Sequence, residues 1–177
     1  AQDPANQVLE YWIAAAPRPR PPRATWDAEP AFQGAVEVLK WIYDTDPGLR
    51  AIHVMEADGP EECRHLFVQS FLDHTFDSNA SIPGYTKYFE AQDMRPAYER
   101  HRDVLRLVGS TSPEQRWVLK YPAHMRELHT LLAVYPDACI VQTHRDPVQV
   151  LPSVCSLVTG WRSLYEGRAD AHAIGAW

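Results

Sequence analysis

Apolar residues recur at helical spacing over three stretches of this chain and gather into short runs in a fourth. Phe32, Val36, Leu39 and Tyr43 follow i, i+4, i+7 and i+11, with Ala35, Val38 and Ile42 beside them. That spacing predicts an amphipathic helix over 31–43. A second helix is expected to begin near Asp58-Gly59-Pro60-Glu61-Glu62 and to carry Cys63, Leu66, Phe67 and Phe71 on one side. A third is expected from about Met94 through Tyr98, His101 and Leu105 to Val108, with Pro113 and its neighbours ending the pattern.

The rhythm changes over 116–160. Trp117-Val118-Leu119 is a short apolar run that predicts a buried strand ending at Lys120. Met125, Leu128, Leu132 and Tyr135 predict a helix, closed by Pro136-Asp137. Residues 138–143 (ACIVQT) read as a second strand, and Asp146-Pro147 as a helix start. Asp suits the N-cap, and Pro suits the first helical position, where its missing N–H costs nothing. Strand, helix, strand, helix in so short a span predicts two parallel neighbouring strands with a right-handed crossover. Ligands in such sheets bind beyond the carboxyl ends of the strands. Those ends are Lys120 and the Thr143-His144-Arg145 turn, so two cations are expected at one sheet edge.

Composition narrows the picture only a little. The 177 residues suffice for one domain, and 45% hydrophobic with 23% charged residues is an ordinary globular mix. A net charge of -6 speaks against nucleic acid or an anionic membrane held by a general positive field. It leaves room for one anionic ligand held by a few local cations. Cys63, Cys139 and Cys155 show no CxxC pair and no nearby Cys/His ligand spacing, so neither a disulfide framework nor a zinc site is expected, and a reducing, cytoplasmic setting fits. No apolar run approaches the ~20 residues that span a bilayer. AQDPANQ at one end carries no signal sequence and no Met, and AHAIGAW at the other carries no terminal signal, so both ends read as cut. Residues 17–30 are Pro-rich and read as a solvated connector, although Arg18, Arg20 and Arg23 could hold an anion or a proline-reading partner.

Several groups could carry chemistry. Arg145 stands directly before a helix start, where its guanidinium and the free helix N–H groups can face one phosphate. Ser153, eight residues on, lies about two turns into that helix and could reach the same anion. The bland alternative pairs Arg145 with Asp137 or Asp146. Lys120 at a strand end can neutralise charge on a leaving group, or be an exposed strand-end charge. His124 can act as a base, as a polar contact for an acceptor hydroxyl, or simply as a helix-start residue. Glu61 and Glu62 are accounted for as acids in a helix first turn. His144-Arg145-Asp146 lacks the remainder of a kinase catalytic loop, and no GxxxxGK[ST], GxGxxG or GxSxG occurs.

The run WVLKYPAHMRELHTLLAVYPDACIVQTHRDPVQVLPSVCSLV, residues 117–158, resembles the sulfotransferase family and its bacterial branch in particular. AQDPANQ, ADGPEEC and DMRPAYERHRDVLRLV are similar to the same branch. The resemblance implies an α/β fold, a P-loop-kinase-like parallel sheet flanked by helices. It implies transfer of a sulfuryl group from 3′-phosphoadenosine-5′-phosphosulfate (PAPS) to a hydroxyl or amine of a small-molecule, glycan or lipid acceptor, with no metal. Arg145 and Ser153 match the pair that holds the donor's 3′-phosphate, and Lys120 the lysine that supports the transferring group. His124 resembles the base histidine of related enzymes, displaced by two residues; Glu10 or a residue outside the chain are the other candidates for base, and Ile13 competes for the place Glu10 would fill. The family's 5′-phosphosulfate loop precedes the point where AQDP begins. The expected organisation is therefore one partial domain over 1–177: a helix remnant and connector over 1–30, a helical acceptor-side region over 31–112, and a βαβα donor-binding part over 113–177. Such a piece, lacking the first strand and the phosphate loop, is expected to be inactive alone and to leave an open sheet edge. A kinase-like phosphotransferase and a non-catalytic nucleotide- or protein-binding module are the alternatives.

Overall fold

Pro30 opens the longest helix of the N-terminal half because its ring presets helical φ at the first position. The computed structural model describes residues 3–176; Ala1 and Gln2, the start of the AQDPANQ segment, and Trp177 lie outside the described residues. In chain order the elements begin with strand β1 (Asn6–Gln7) and helix α1 (Tyr11–Ala15), followed by a 3-10 turn over Arg23–Ala28. Helices α2 (Pro30–Thr45), α3 (Pro47–Ile52), α4 (Arg64–Val68), α5 (Thr75–Asn79), α6 (Pro83–Glu90) and α7 (Arg95–Val108) follow. Strand β2 (Arg116–Trp117) leads to a 3-10 turn over Pro122–Glu127, then α8 (Leu128–Val134), α9 (Pro147–Glu166) and α10 (Ala171–Ala176).

The fold is thus mostly helical around a small parallel sheet. β1 and β2 pair in parallel with Asn6 opposite Arg116 and Gln7 opposite Trp117. Arg116 N donates to Ala5 O at 2.9 Å and Val118 N to Gln7 O at 2.9 Å. One core gathers Leu9, Trp12 and Ile13 with Trp26, Leu39, Ile42, Leu49, Leu105 and Trp161. A second holds Cys63, Phe67, Tyr85, Phe89, Met94, Tyr98 and Val134.

The helix over 31–43 forms as expected, but its buried stripe is Ala35, Leu39 and Ile42, while Val36 and Val38 are exposed. Tyr98, His101 and Leu105 are buried on α7, as the third helical pattern requires. The helix expected from Asp58 onward is much shorter. Glu61 N donates to Leu9 O at 2.7 Å and Glu10 bridges Pro60, so this stretch is drawn into extended backbone and α4 starts only at Arg64. Phe71, expected on that helix, stands beyond it with φ 56.

The largest correction concerns 138–143. This segment is not a strand, and β2 pairs with β1 instead of with it. A strand exists only when its N–H and C=O groups find a ladder, and among the described residues none lies alongside. Ile140 and Val141 are consequently exposed, and so are Val148, Leu151 and Val154 on the following helix. The Pro-rich segment also departs from a solvated connector. Arg20 is half-buried against the sheet, and Trp26 donates from Nε1 to Pro21 O at 2.9 Å. Among the described residues no helix is long and apolar enough to cross a membrane.

Candidate functional site

The extended backbone that follows β2 ends at Lys120, and the loop before α4 meets it there. Cys63 N donates to Lys120 O at 3.1 Å, and the Lys120 ammonium pairs with the Glu62 carboxylate. Lys120 remains largely exposed in this pairing, whereas Glu62 is mostly covered. Glu62 is therefore not an acid of a helix first turn. Its signal was invisible in sequence because 58 positions separate it from its partner.

Behind the strand end lies a layer of aromatic and imidazole rings. Tyr121 donates from its hydroxyl to Asp73 Oδ2 at 2.7 Å. Asp73 is buried, and burial raises its carboxyl pKa against the lowering effect of its hydrogen bonds from Thr75 and Tyr121. His124 shares a hydrogen bond between Nδ1 and the Tyr98 hydroxyl at 2.8 Å. His101 makes the same kind of bond from Nδ1 to the Tyr135 hydroxyl at 2.6 Å. Burial pushes His124 down to about 4 and His101 to about 3, so both rings are neutral at pH 7. Burial pushes the Cys63 thiol up to about 12. Phe67 stacks on His101, with centroids 5.1 Å apart, and stands edge-on to His124 at 5.8 Å.

Arg145 and Ser153 occupy a different setting. Arg145 is exposed in the loop before α9, and Ser153 is exposed on that helix. Asp146 caps α9 by accepting from Val148 N at 2.9 Å, as Asp146-Pro147 predicts. Among the described residues Arg145 pairs with neither Asp137 nor Asp146, and no hydrogen bond joins Arg145 or Ser153 to Lys120 or His124. Glu10 is buried at the start of α1, with Arg20 donating from Nη2 at 3.0 Å. Burial raises its pKa and the Arg20 charge opposes the rise. Ile13, its competitor for that place, is fully buried.

The aromatic residues of the helical region over 31–112 divide. Phe76, Tyr85 and Tyr88 surround Phe71, with centroids of 4.9, 5.0 and 6.1 Å, while Trp41 stands exposed on α2. A cavity of about 190 Å³ opens beside Thr86 and the buried Arg162. Arg162 donates there to Asp77 O at 3.1 Å.

The sequence profile of the sulfotransferase family matches residues 7–177. No curated protein matches the sequence. Among solved structures, the sulfotransferase STF1 of Mycobacterium tuberculosis superposes with a TM-score of 0.83 at 39% identity. The match covers 98% of this chain and 48% of that one. The sulfotransferase STF9 of Mycobacterium avium superposes with a TM-score of 0.77 at 31% identity, covering 92% of this chain and 42% of that one. The chain therefore spans about half the length of the solved proteins it matches.

Proposed function

Because the chain belongs to the sulfotransferase family, we propose that the whole protein moves a sulfuryl group from PAPS to a hydroxyl or amine acceptor. The observation that carries this reading is the exposed Arg145 at the start of a capped 20-residue helix, without an ion pair among the described residues. The first N–H groups of α9 donate to Asp146, so in this reading the phosphate contact rests on the guanidinium itself. Ser153 on the same helix adds a hydroxyl. These residues fit the 3′-phosphate of the donor.

When bound, the donor supplies the sulfuryl group: the acceptor oxygen or nitrogen bonds to sulfur and releases its proton to solvent, the S–O bond to phosphate breaks, and adenosine 3′,5′-bisphosphate leaves. By analogy with phosphoryl transfer, charge builds on the leaving oxygen. Lys120 meets that charge from the strand end once it leaves Glu62. The cations this step needs are side chains. In this reading His124 is a positioning residue beside the strand end, its Nδ1 sharing a hydrogen bond with the Tyr98 hydroxyl. Glu10 serves the fold: its carboxylate is taken by Arg20.

The remaining half of the protein completes the site in this reading. A strand along 138–143 gives that segment its ladder and covers Ile140, Val141, Val148, Leu151 and Val154. It would lead into the loop that holds the 5′-phosphosulfate, as in a P-loop-like sheet. The 177 residues alone would then be inactive. Free thiols at Cys63, Cys139 and Cys155 suit a cytoplasmic setting. The reading is tested by following radiolabelled sulfuryl transfer from PAPS by the full-length protein to a panel of phenolic, sterol, lipid and glycan acceptors. Transfer that is lost in Arg145→Ala supports it; phosphoryl transfer from ATP in its place contradicts it.

A further inference from the structure

The ring layer behind Lys120 contains a cluster that sulfuryl transfer does not use. Cys63 precedes α4, His101 lies in the middle of α7, and His124 sits in the 3-10 turn after Lys120. The thiol and one ring nitrogen from each histidine all lie within 4.8 Å of one another. Cys63 and His101 are buried and His124 is half-buried.

A second observation points at the same spot. His101 is 2% exposed, and its Nε2 has no hydrogen-bond partner among the described residues. A buried polar nitrogen left unpaired is costly, so such a group is normally matched by something. The other nitrogen of each histidine is already occupied. Tyr135 holds His101 at Nδ1 and Tyr98 holds His124 at Nδ1, which leaves Nε2 of both rings for a ligand. Outer hydrogen bonds on the far nitrogen are what orient metal-binding imidazoles.

We propose that Cys63, His101 and His124 form a binding site for a borderline-soft cation, Zn²⁺ in the first instance, with Cys63 Sγ and the two Nε2 atoms as ligands. Two nitrogens and one sulfur, with no carboxylate in the cluster, are a donor set that zinc favours over magnesium or calcium. Tetrahedral zinc needs ligand atoms about 3.3–3.6 Å apart, so small side-chain rotations close the site, and one water completes it. On binding, the Cys63 thiol gives its proton to solvent and a sulfur–metal bond forms. Both imidazoles bind in their neutral form. The cation ties the Cys63 loop, α7 and the turn after β2 together directly behind Lys120. Sequence spacing concealed the site because its ligands are 38 and 23 residues apart.

This proposal stands apart from the sulfotransferase reading and can fail without it. The test uses the full-length protein with the exposed Cys139 and Cys155 replaced by Ser, freed of metal by a chelator and titrated with Co²⁺. The expected result is a near-ultraviolet sulfur-to-cobalt band that saturates at one equivalent, is displaced by Zn²⁺, and is lost in Cys63→Ser. Because core variants can misfold, Tyr135→Phe provides a gentler probe. It removes only the hydroxyl that orients His101, and cobalt affinity should fall ~10–100-fold while the far-ultraviolet circular dichroism and the thermal midpoint of the metal-free protein show it still folded. Absence of the band, its survival in Cys63→Ser, or unchanged affinity in Tyr135→Phe overturns the site. Adenosine 3′,5′-bisphosphate binding on the same sample reports separately on the donor reading.

Discussion

The ammonium of Lys120 pairs with the carboxylate of Glu62, and the next residue, Cys63, donates its backbone N–H to the Lys120 carbonyl at 3.1 Å. One short loop thus fixes the strand end by its backbone and neutralises its cation by a side chain. An incoming anion must compete with Glu62 for Lys120.

Glu62→Gln removes that competitor. Exposed pairs contribute about 0–1 kcal/mol, so unfolding in urea should change by no more than that. Affinity of the full-length protein for PAPS should rise ~2–5-fold, the equivalent of about 0.5–1 kcal/mol. Calorimetry checks this, and a fall in affinity would show that Glu62 supports the donor instead of competing with it.

Arg20 is a structural counterpart to this exposed pair. Its guanidinium donates to Glu10 and, at 2.8 Å, to Gln7 Oε1, with both charged side chains largely covered. Arg20→Met leaves the Glu10 carboxylate buried and uncompensated, a loss of about 3–5 kcal/mol. The double variant Arg20→Met/Glu10→Gln should recover a large part of it. Denaturant midpoints of the four proteins in this cycle measure the coupling.

These two pairs also show what was legible in the sequence. Helices over 30–45, 95–108 and from 147 onward follow from periodicity and caps, which are local chemistry. The buried face of α2 was not, because Val36 and Ala35 are equally acceptable on a stripe until a neighbour selects one. Asp58-Gly59-Pro60 looks like a helix start, yet Leu9 draws the stretch into extended pairing from a distance. Lys120, Arg145 and Ser153 were singled out by their places at strand ends and a helix start and by motif resemblance, and their roles belong to the proposed function. Glu62, Tyr98 and His101 were missed as partners because their relationships are tertiary.

Burial holds His65 and His101 at about 3 and His124 at about 4, against 6.5 for a free histidine. Between these values the unfolded chain binds protons that the metal-free folded chain does not, so stability falls as pH drops. The contribution is complete above pH 6.5 and is lost progressively toward pH 4 and 3, at about 1.4 kcal/mol per pH unit for each histidine. Urea midpoints recorded from pH 7 to 4 should show this slope; a flat profile would contradict it.

Residues 139–145 donate no backbone hydrogen bond among the described residues. In the 177-residue chain their amides should exchange with deuterium at near-unprotected rates. In the full-length protein the completed sheet should protect alternate amides over 138–143. Equal exchange in both would argue against a strand pairing there.

The donor assignment is tested most directly by calorimetric binding of adenosine 3′,5′-bisphosphate and of adenosine 5′-monophosphate to the full-length protein, with Arg145→Ala as the control. Preference for the bisphosphate that disappears in the variant is the predicted result, since only the 3′-phosphate distinguishes the two ligands. Equal affinity for both, or a preference unaffected by Arg145→Ala, would contradict a PAPS site at the start of α9.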